Sequence, residues 1–200
     1  MSAFRCQLSC FLLVVSMAAD YSTTHFERFG LAPSFDVDLD LLDTRYRDSQ
    51  RAVHPDRFAN ATDQERRISM QQATLINEGY QTLKDPLQRG RYLLQLAGRN
   101  LDEEPHTNSD VNFLMEQMEL REALDEVRTA ADAFAELGVI IDRIADDIAR
   151  LASGLQQQFS AGDEASLDQA ADSLTKMQFY RKLQEEAMEL ELALEDELAG

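Results

Sequence analysis

The sequence has few of the residues that mark specialised protein classes. Its 200 residues include 2 Cys, 4 Pro, 8 Gly and no Trp. This composition excludes collagen-like and low-complexity proteins, and a hydrophobic content of 44% is too high for a disordered chain. No apolar run reaches the roughly 18–20 residues that a membrane span needs. The chain is long enough for one ordinary domain or two small ones.

The two cysteines, Cys6 and Cys10, both lie within the first ten residues. They are too few for a disulfide framework and cannot alone form a four-ligand zinc site. This usage is typical of a reducing compartment, so a cytoplasmic location is expected, although targeting by residues 1–19 is not excluded.

Residues 1–22 are interpreted as an N-terminal extension. Arg5 precedes the apolar run 11–15 and the small residues that follow it, which resembles a weak signal peptide. Three interpretations remain open: Met17 is the true start, the segment is a signal or transit peptide, or it is an additional tail.

Negative charge is concentrated in the second half of the chain. Residues 1–100 contain 12 basic and 12 acidic side chains, whereas residues 101–200 contain 7 and 25. The second half therefore accounts for the net charge of −18. Such a surface repels phosphate backbones, so no nucleic acid is expected as a partner. It suits either basic protein partners or solubility alone.

Hydrophobic periodicity predicts an all-α protein. Asp38 is positioned to cap one helix, Thr62 and Glu65 form a capping box for the next, and Pro55 breaks the chain between them. The predicted helices span 25–29, 38–53, 62–84, 87–96, 111–129, 134–159 and 164–198. A polar segment around Pro105 predicts a domain boundary, and the last three helices predict an antiparallel bundle.

The helix predicted over 134–159 contains a heptad seam. Its apolar residues are spaced 4, 3, 4, 3 and 4 apart and comprise Leu137, Ile141, Ile144, Ile148, Leu151 and Leu155. The acidic pair Asp146-Asp147 within this helix is interpreted as part of a solvated face.

The helix predicted over 111–129 is apolar on two faces. One face, with Phe113, Leu120, Leu124 and Val127, is expected to point into the bundle core. Leu114, Met115 and Met118 lie on the opposite side, beside Glu119, Glu122 and Glu126. This second face either packs on the first domain or forms an exposed protein-binding patch with an acidic rim.

Enzyme signatures are weak. His25, His54 and His106 are far apart and form no metal-ligand spacing, and the sequence has no glycine-rich phosphate loop or nucleophile elbow. We therefore expect a protein that is not an enzyme and has no metal site, no cofactor and no membrane partner.

The tripeptide His54-Pro55-Asp56 stands between two predicted amphipathic helices. With the following Asp85-Pro86-Leu87, this arrangement resembles a J-domain. Segments 85–94 and 112–122 are further similar to the HscB-type co-chaperone of iron–sulfur cluster assembly, over about residues 23–198.

The resemblance implies two binding sites. His54, Pro55 and Asp56, with the basic residues Arg45, Arg47 and Arg51, would bind a DnaK-type, HscA-like chaperone. The iron–sulfur scaffold protein, IscU-like, would bind the second domain. The positions implied for the scaffold are Leu114, Met115, Met118, Glu119, Glu122, Glu126 and Phe179. Asp48 departs from the basic residue that many J-domains have there.

The resulting interpretation is a two-domain, L-shaped protein. A J-domain, a helical hairpin, is predicted over 23–98, a linker over 99–110 and a scaffold-binding three-helix bundle over 111–200. The expected function is to deliver the scaffold to the chaperone and to stimulate its ATPase. Two alternatives remain: a J-protein with another client, and a non-chaperone acidic helical adaptor in which the tripeptide is only a turn.

Overall fold

The computed structural model describes residues 23–58, 61–101 and 110–199, and all regular elements within these ranges are helical. The helices are α1 His25–Arg28, α2 Leu39–Val53, α3 Asp63–Lys84, α4 Pro86–Leu96, α5 Val111–Glu126, α6 Ala133–Ala161 and α7 Glu164–Ala199; Pro55–Phe58 and Val127–Thr129 form 3-10 turns. The all-α prediction is confirmed for this part of the chain. The extension 1–22, both cysteines and His106 lie outside the described residues.

The described chain divides into two compact units. The first contains residues 23–33 and 37–88, and the second contains residues 34–36, 89–101 and 110–199. The division falls within α4, earlier than the end of the J-domain predicted at residue 98. The domain limits and the linker that we inferred from the sequence therefore remain predictions.

The first two long helices begin where the capping residues predict. The Asp38 carboxylate accepts a hydrogen bond from the Leu41 amide at 2.9 Å, before the first turn of α2. At α3, the Thr62 amide donates to the Glu65 carboxylate at 2.8 Å, and the Glu65 amide donates back to the Thr62 hydroxyl at 3.3 Å. These bonds satisfy amides that a helix start leaves without partners.

The α2 and α3 helices form the hairpin of the first unit. Phe26, Leu42, Ile76 and Leu83 are fully buried there. Tyr80 on α3 makes two further contacts with α2. Its ring stacks on Tyr46 at 3.9 Å between centroids, and its hydroxyl donates a hydrogen bond to Asp43 at 2.8 Å. Burial holds the helices together, and the aromatic and hydroxyl contacts define which residues face each other.

The α5, α6 and α7 helices pack around the core of the second unit. Gly162 ends α6 in the left-handed conformation, with φ 67°, and two residues later α7 begins in the opposite direction. The core consists of Phe113, Leu120, Val127, Leu137, Ile140, Ile144, Tyr180, Leu183, Ala187 and Leu194. The predicted antiparallel three-helix arrangement is confirmed.

The second part of α4 packs against α7 at Gly90. A Cβ atom placed on Gly90 would lie 2.5 Å from Cδ2 of Leu174, which is fully buried. The close approach therefore requires glycine. Nearby, the Arg89 guanidinium lies 5.0 Å from the centre of the Phe35 ring, and Phe35 stacks on Phe159.

The inward face of α6 includes Asp147, which the predicted heptad seam did not contain. Ile140 and Asp147 are buried, whereas Ile141 and Ile148 are only half-buried. The interpretation of Asp147 as part of a solvated face is therefore wrong. Asp147 lies seven residues after Ile140 and three after Ile144, and this spacing puts it on the inward stripe. Asp146 is exposed, as expected.

Candidate functional site

The His54-Pro55-Asp56 loop begins where α2 ends. His54 has extended backbone angles, φ −60° and ψ 132°, and residues Pro55–Phe58 then form a 3-10 turn. A proline disfavours helical angles in the preceding residue and cannot donate the helical hydrogen bond, so Pro55 terminates α2 at Val53. The tripeptide is thus displayed between the two helices of the hairpin.

Hydrogen bonds fix both ends of this loop. The buried Ser69 hydroxyl on α3 donates to the Val53 carbonyl at 2.7 Å. The Arg57 amide donates to the His54 carbonyl at 3.0 Å, and the Arg57 guanidinium donates to the Arg51 carbonyl at 3.3 Å. These bonds satisfy carbonyls that the end of a helix leaves without partners, and they define the direction in which the loop leaves α2.

The Asp56 carboxylate is presented to solvent. Its side chain is 90% exposed, while its backbone amide donates to His54 Nδ1 at 3.3 Å. Because Nδ1 acts as an acceptor, this bond fits the imidazole tautomer with its proton on Nε2. The carboxylate oxygen Oδ2 lies 3.6 Å from Nδ1, which is beyond hydrogen-bond range. Asp56 can therefore accept donors from a partner.

The predicted basic residues Arg45, Arg47 and Arg51 are all exposed on α2. Arg47 and Arg51 are four residues apart and share one stripe of the helix. Asp48 lies beside them and pairs with Arg51 at 3.1 Å, with both side chains exposed. Asp48 therefore reduces the positive charge of this surface.

The outer side of α5 carries an exposed apolar patch. We define the α5 patch as Val111, Leu114, Met115 and Met118, which are 65%, 45%, 57% and 71% exposed, respectively. The opposite side of α5 enters the core as predicted, with Leu124 partly buried against it. Leu114 is therefore exposed, and its assignment to a protein-binding patch stays a prediction. Val111 was missed by the sequence analysis, although its spacing of three, four and seven residues to the other members signals it.

The acidic residues predicted around the patch, Glu119, Glu122 and Glu126, are all exposed. They lie on the turns of α5 that follow Met115. Exposed methionines offer an adaptable apolar surface, and an acidic border favours partners with basic groups at matching positions. This arrangement is typical of a protein-binding surface.

Phe179 on α7 lies at the border between this surface and the core. It is half-buried, packs against the core, and makes an edge-on contact with Phe113 at 5.6 Å between centroids. The Arg121 guanidinium on α5 lies 5.7 Å from its ring centre. Arg121 shares a stripe with Leu114 and Met118, so Phe179 is next to the patch, but much of its ring serves the core.

The residues that the structure describes offer no group of three or more His, Cys, Asp and Glu side chains that could hold a metal ion. In the same ranges, no helix is long and apolar enough to cross a membrane.

Comparisons with known proteins identify the family. Residues 109–188 match the family described as the HSCB C-terminal oligomerisation domain. The chain is 44% identical over 172 residues to a co-chaperone protein HscB homolog of Shewanella sp. (strain ANA-3), covering 86% of this chain and 99% of the relative.

Solved structures agree with this match. Chaperone HscB from Vibrio cholerae is 40% identical with a TM-score of 0.75, covering 86% of this chain and 99% of that chain. The human co-chaperone protein HscB is 31% identical with a TM-score of 0.80, and the match covers 88% of this chain and 86% of the human chain. Jac1 co-chaperone from Saccharomyces cerevisiae shares the fold, with 22% identity and a TM-score of 0.65. The match covers 82% of this chain and 94% of the Jac1 chain. The chain therefore belongs to the HscB family of J-domain co-chaperones of iron–sulfur cluster assembly.

Proposed function

We propose that this protein binds the iron–sulfur scaffold protein and delivers it to a dedicated DnaK-type, HscA-like chaperone, whose ATPase it stimulates. Within this proposal the chain is not an enzyme and holds no cofactor, because the ATP belongs to the chaperone and the cluster to the scaffold. It works in the cytoplasm, without a nucleic-acid or membrane partner.

The observation that carries the proposal is the exposed Asp56 carboxylate at the end of the α2–α3 hairpin. An exposed acceptor on a fixed loop can bond an arginine of the chaperone bidentately. Arg45, Arg47 and Arg51 would add attraction to an acidic chaperone surface, and His54 and Pro55 would hold the loop. Such contacts would stimulate hydrolysis by favouring the hydrolysis-competent chaperone state, which is a population shift without bond chemistry in this chain.

The α5 patch supports the second part of the proposal. Its apolar side chains would be buried against the scaffold, with Glu119, Glu122 and Glu126 pairing with basic groups around them. Phe179 would contribute the exposed part of its ring. Because the patch is on the second unit and Asp56 is on the first, the chain could hold both partners at once.

Single-turnover ATP hydrolysis by the cognate chaperone tests the proposal. The protein and the scaffold are added separately and together, with His54→Gln and Asp56→Asn as variants and Asp40→Asn, at an exposed position on α2, as a charge-matched control. We expect the protein and scaffold to act synergistically, Asp56→Asn to abolish stimulation, and the same variant to bind the scaffold normally by calorimetry.

Each alternative predicts a different result. Stimulation without scaffold synergy would indicate a J-protein with another client. Absence of any stimulation would leave an acidic helical adaptor. Loss of both stimulation and scaffold binding in Asp56→Asn, with the circular dichroism spectrum unchanged, would contradict the assignment of two separate sites.

A further inference from the structure

A polar cleft lies in the second unit, between α5, α6 and α7. Its volume is about 320 Å³, and its walls include Phe113, Asp147, Leu151, Gln158, Lys176 and Tyr180. None of the residues of the α5 patch lines it. A water molecule occupies roughly 30 Å³ of liquid, so the cleft has room for a small organic group.

Two buried oxygen atoms in this cleft have unused acceptor capacity. Asp147 is 4% exposed; its Oδ1 accepts from Arg150, but no described residue donates to its Oδ2. The Gln158 side chain donates through Nε2 to the Ser173 hydroxyl at 3.1 Å, and its buried Oε1 likewise has no donor in the described ranges. A buried acceptor without a donor costs free energy. A molecule that occupies the cleft is therefore expected to supply N–H or O–H groups.

The cleft already holds one ammonium group. Lys176 Nζ lies 2.7 Å from Asp110 Oδ2 and 5.1 Å from the centre of the Phe113 ring. A carboxylate with an aromatic face is a common environment for an alkylammonium group. Leu151 and Phe113 also give the cleft an apolar surface against which methylene groups can pack.

The charged side chains that line the cleft carry a small excess of negative charge. Asp110, Glu116 and Asp147 line it together with the cations Arg150 and Lys176, which leaves one negative charge in excess. Burial and the nearby Asp147 and Glu116 carboxylates raise the pKa of Tyr180, so its phenol remains a neutral neighbour. The excess of acidic residues in 101–200 extends this potential beyond the cleft and attracts cations toward it.

We propose that the cleft between α5, α6 and α7 binds a primary alkylammonium group, which donates to Asp147 Oδ2 and packs its methylene stem on Phe113 and Leu151. A free amine and the side chain of a lysine present this same chemistry.

Titration of the full-length protein with n-butylammonium chloride, followed by NMR, tests this proposal. We expect saturable shifts of the backbone amide signals of Leu151, Gly154 and Ser173. Tetramethylammonium chloride, with the same charge but no N–H group, should leave them unchanged at equal ionic strength. Asp147→Asn should weaken binding at least about tenfold, because it removes a charge-assisted bond. Asp146→Asn removes the same charge from the exposed neighbour and should bind normally.

Two further arms complete the experiment. Spermidine and Nα-acetyl-lysine methylamide identify whether a free polyamine or a lysine side chain is preferred, and binding of either supports the proposal. Leu151→Ala, which removes the apolar surface proposed for the methylene stem, provides a second variant with reduced affinity if Asp147→Asn does not fold. Equal responses to butylammonium and tetramethylammonium, or unchanged affinity in a folded Asp147→Asn variant, would overturn the proposal and leave the cleft to water.

Discussion

At the residue scale, the two exposed methionines of the α5 patch are the side chains with most area to bury on a partner. If they anchor the scaffold, Met115→Ala combined with Met118→Ala should weaken binding by roughly 2–4 kcal/mol. Calorimetric titration with the scaffold measures this change. Met188→Ala on α7, which removes another exposed methionine, is the matched control. Equal affinities for the wild type and the double variant would exclude these residues as anchors.

Asp110 combines two roles at the start of α5. Its carboxylate accepts from Lys176 Nζ and from the Asn112 and Phe113 amides, and these bonds lower its pKa below the ordinary value of 3.8. Because the folded-state pKa is lowered, its stabilising contribution is present above that ordinary value and is lost as the pH falls through the folded-state pKa.

We therefore expect Asp110→Asn to lose less stability than the wild type does below about pH 4. Urea denaturation between pH 6 and pH 2.5 measures the difference. Asp142→Asn, which removes one exposed carboxylate from α6, serves as the control. A wild-type acid dependence that persists unchanged in Asp110→Asn would contradict this role.

Some residue-scale features could be predicted and others could not. The exposed positions of Asp56, Met115 and Met118 could be predicted because sequence spacing determines the helix face or loop that a residue occupies. The bond from Ser69 to the Val53 carbonyl joins residues of two helices, so no local pattern signals it. Phe179 appeared only as a binding residue, because its contact with Phe113 depends on how α5 and α7 pack.

At the element scale, the approach of α4 to α7 should be the packing contact most sensitive to one added methyl group. Gly90→Ala would place its Cβ against the buried Leu174, and overpacking of this kind typically costs about 1–3 kcal/mol. Urea denaturation should show this loss in the free energy of unfolding.

The control is Gly138→Ala in α6, where an added Cβ would have no atom within 4 Å. This variant should be more stable than the wild type by about 0.5–1 kcal/mol, because alanine has the higher helix propensity. Gly90→Ala combined with Leu174→Ala should show a smaller loss than the sum of the single variants. A neutral Gly90→Ala would contradict the inferred close packing.

The helices themselves could be predicted because caps, breaks and periodicity are local. Asp38, Thr62 and Pro55 begin or end their helices at the expected positions. The inward face of α6 was harder, since a seam based on apolar residues alone passes over Asp147. Packing against α5 and α7 determines which of two adjacent stripes of α6 is buried. On the buried stripe, the Asp147 carboxylate lines the polar cleft and not the apolar core.

At the scale of the whole molecule, the two candidate sites lie in different units of one covalent chain. Asp56 is in the first unit and the α5 patch is in the second. A tether raises the effective concentration of one bound partner near the other, without any added contact. The proposed delivery therefore depends on both sites being carried by the same molecule.

This covalent linkage has a consequence for genetics. Asp56→Asn on one copy and Met115→Ala with Met118→Ala on another should fail to complement each other in trans, although each copy retains one intact site. An equimolar mixture of the two variants should lack synergy with the scaffold in chaperone ATP hydrolysis, while wild type at half the concentration retains it. A mixture that recovers synergy would indicate that the sites cooperate between molecules. In that case two alleles defective in different units would complement each other.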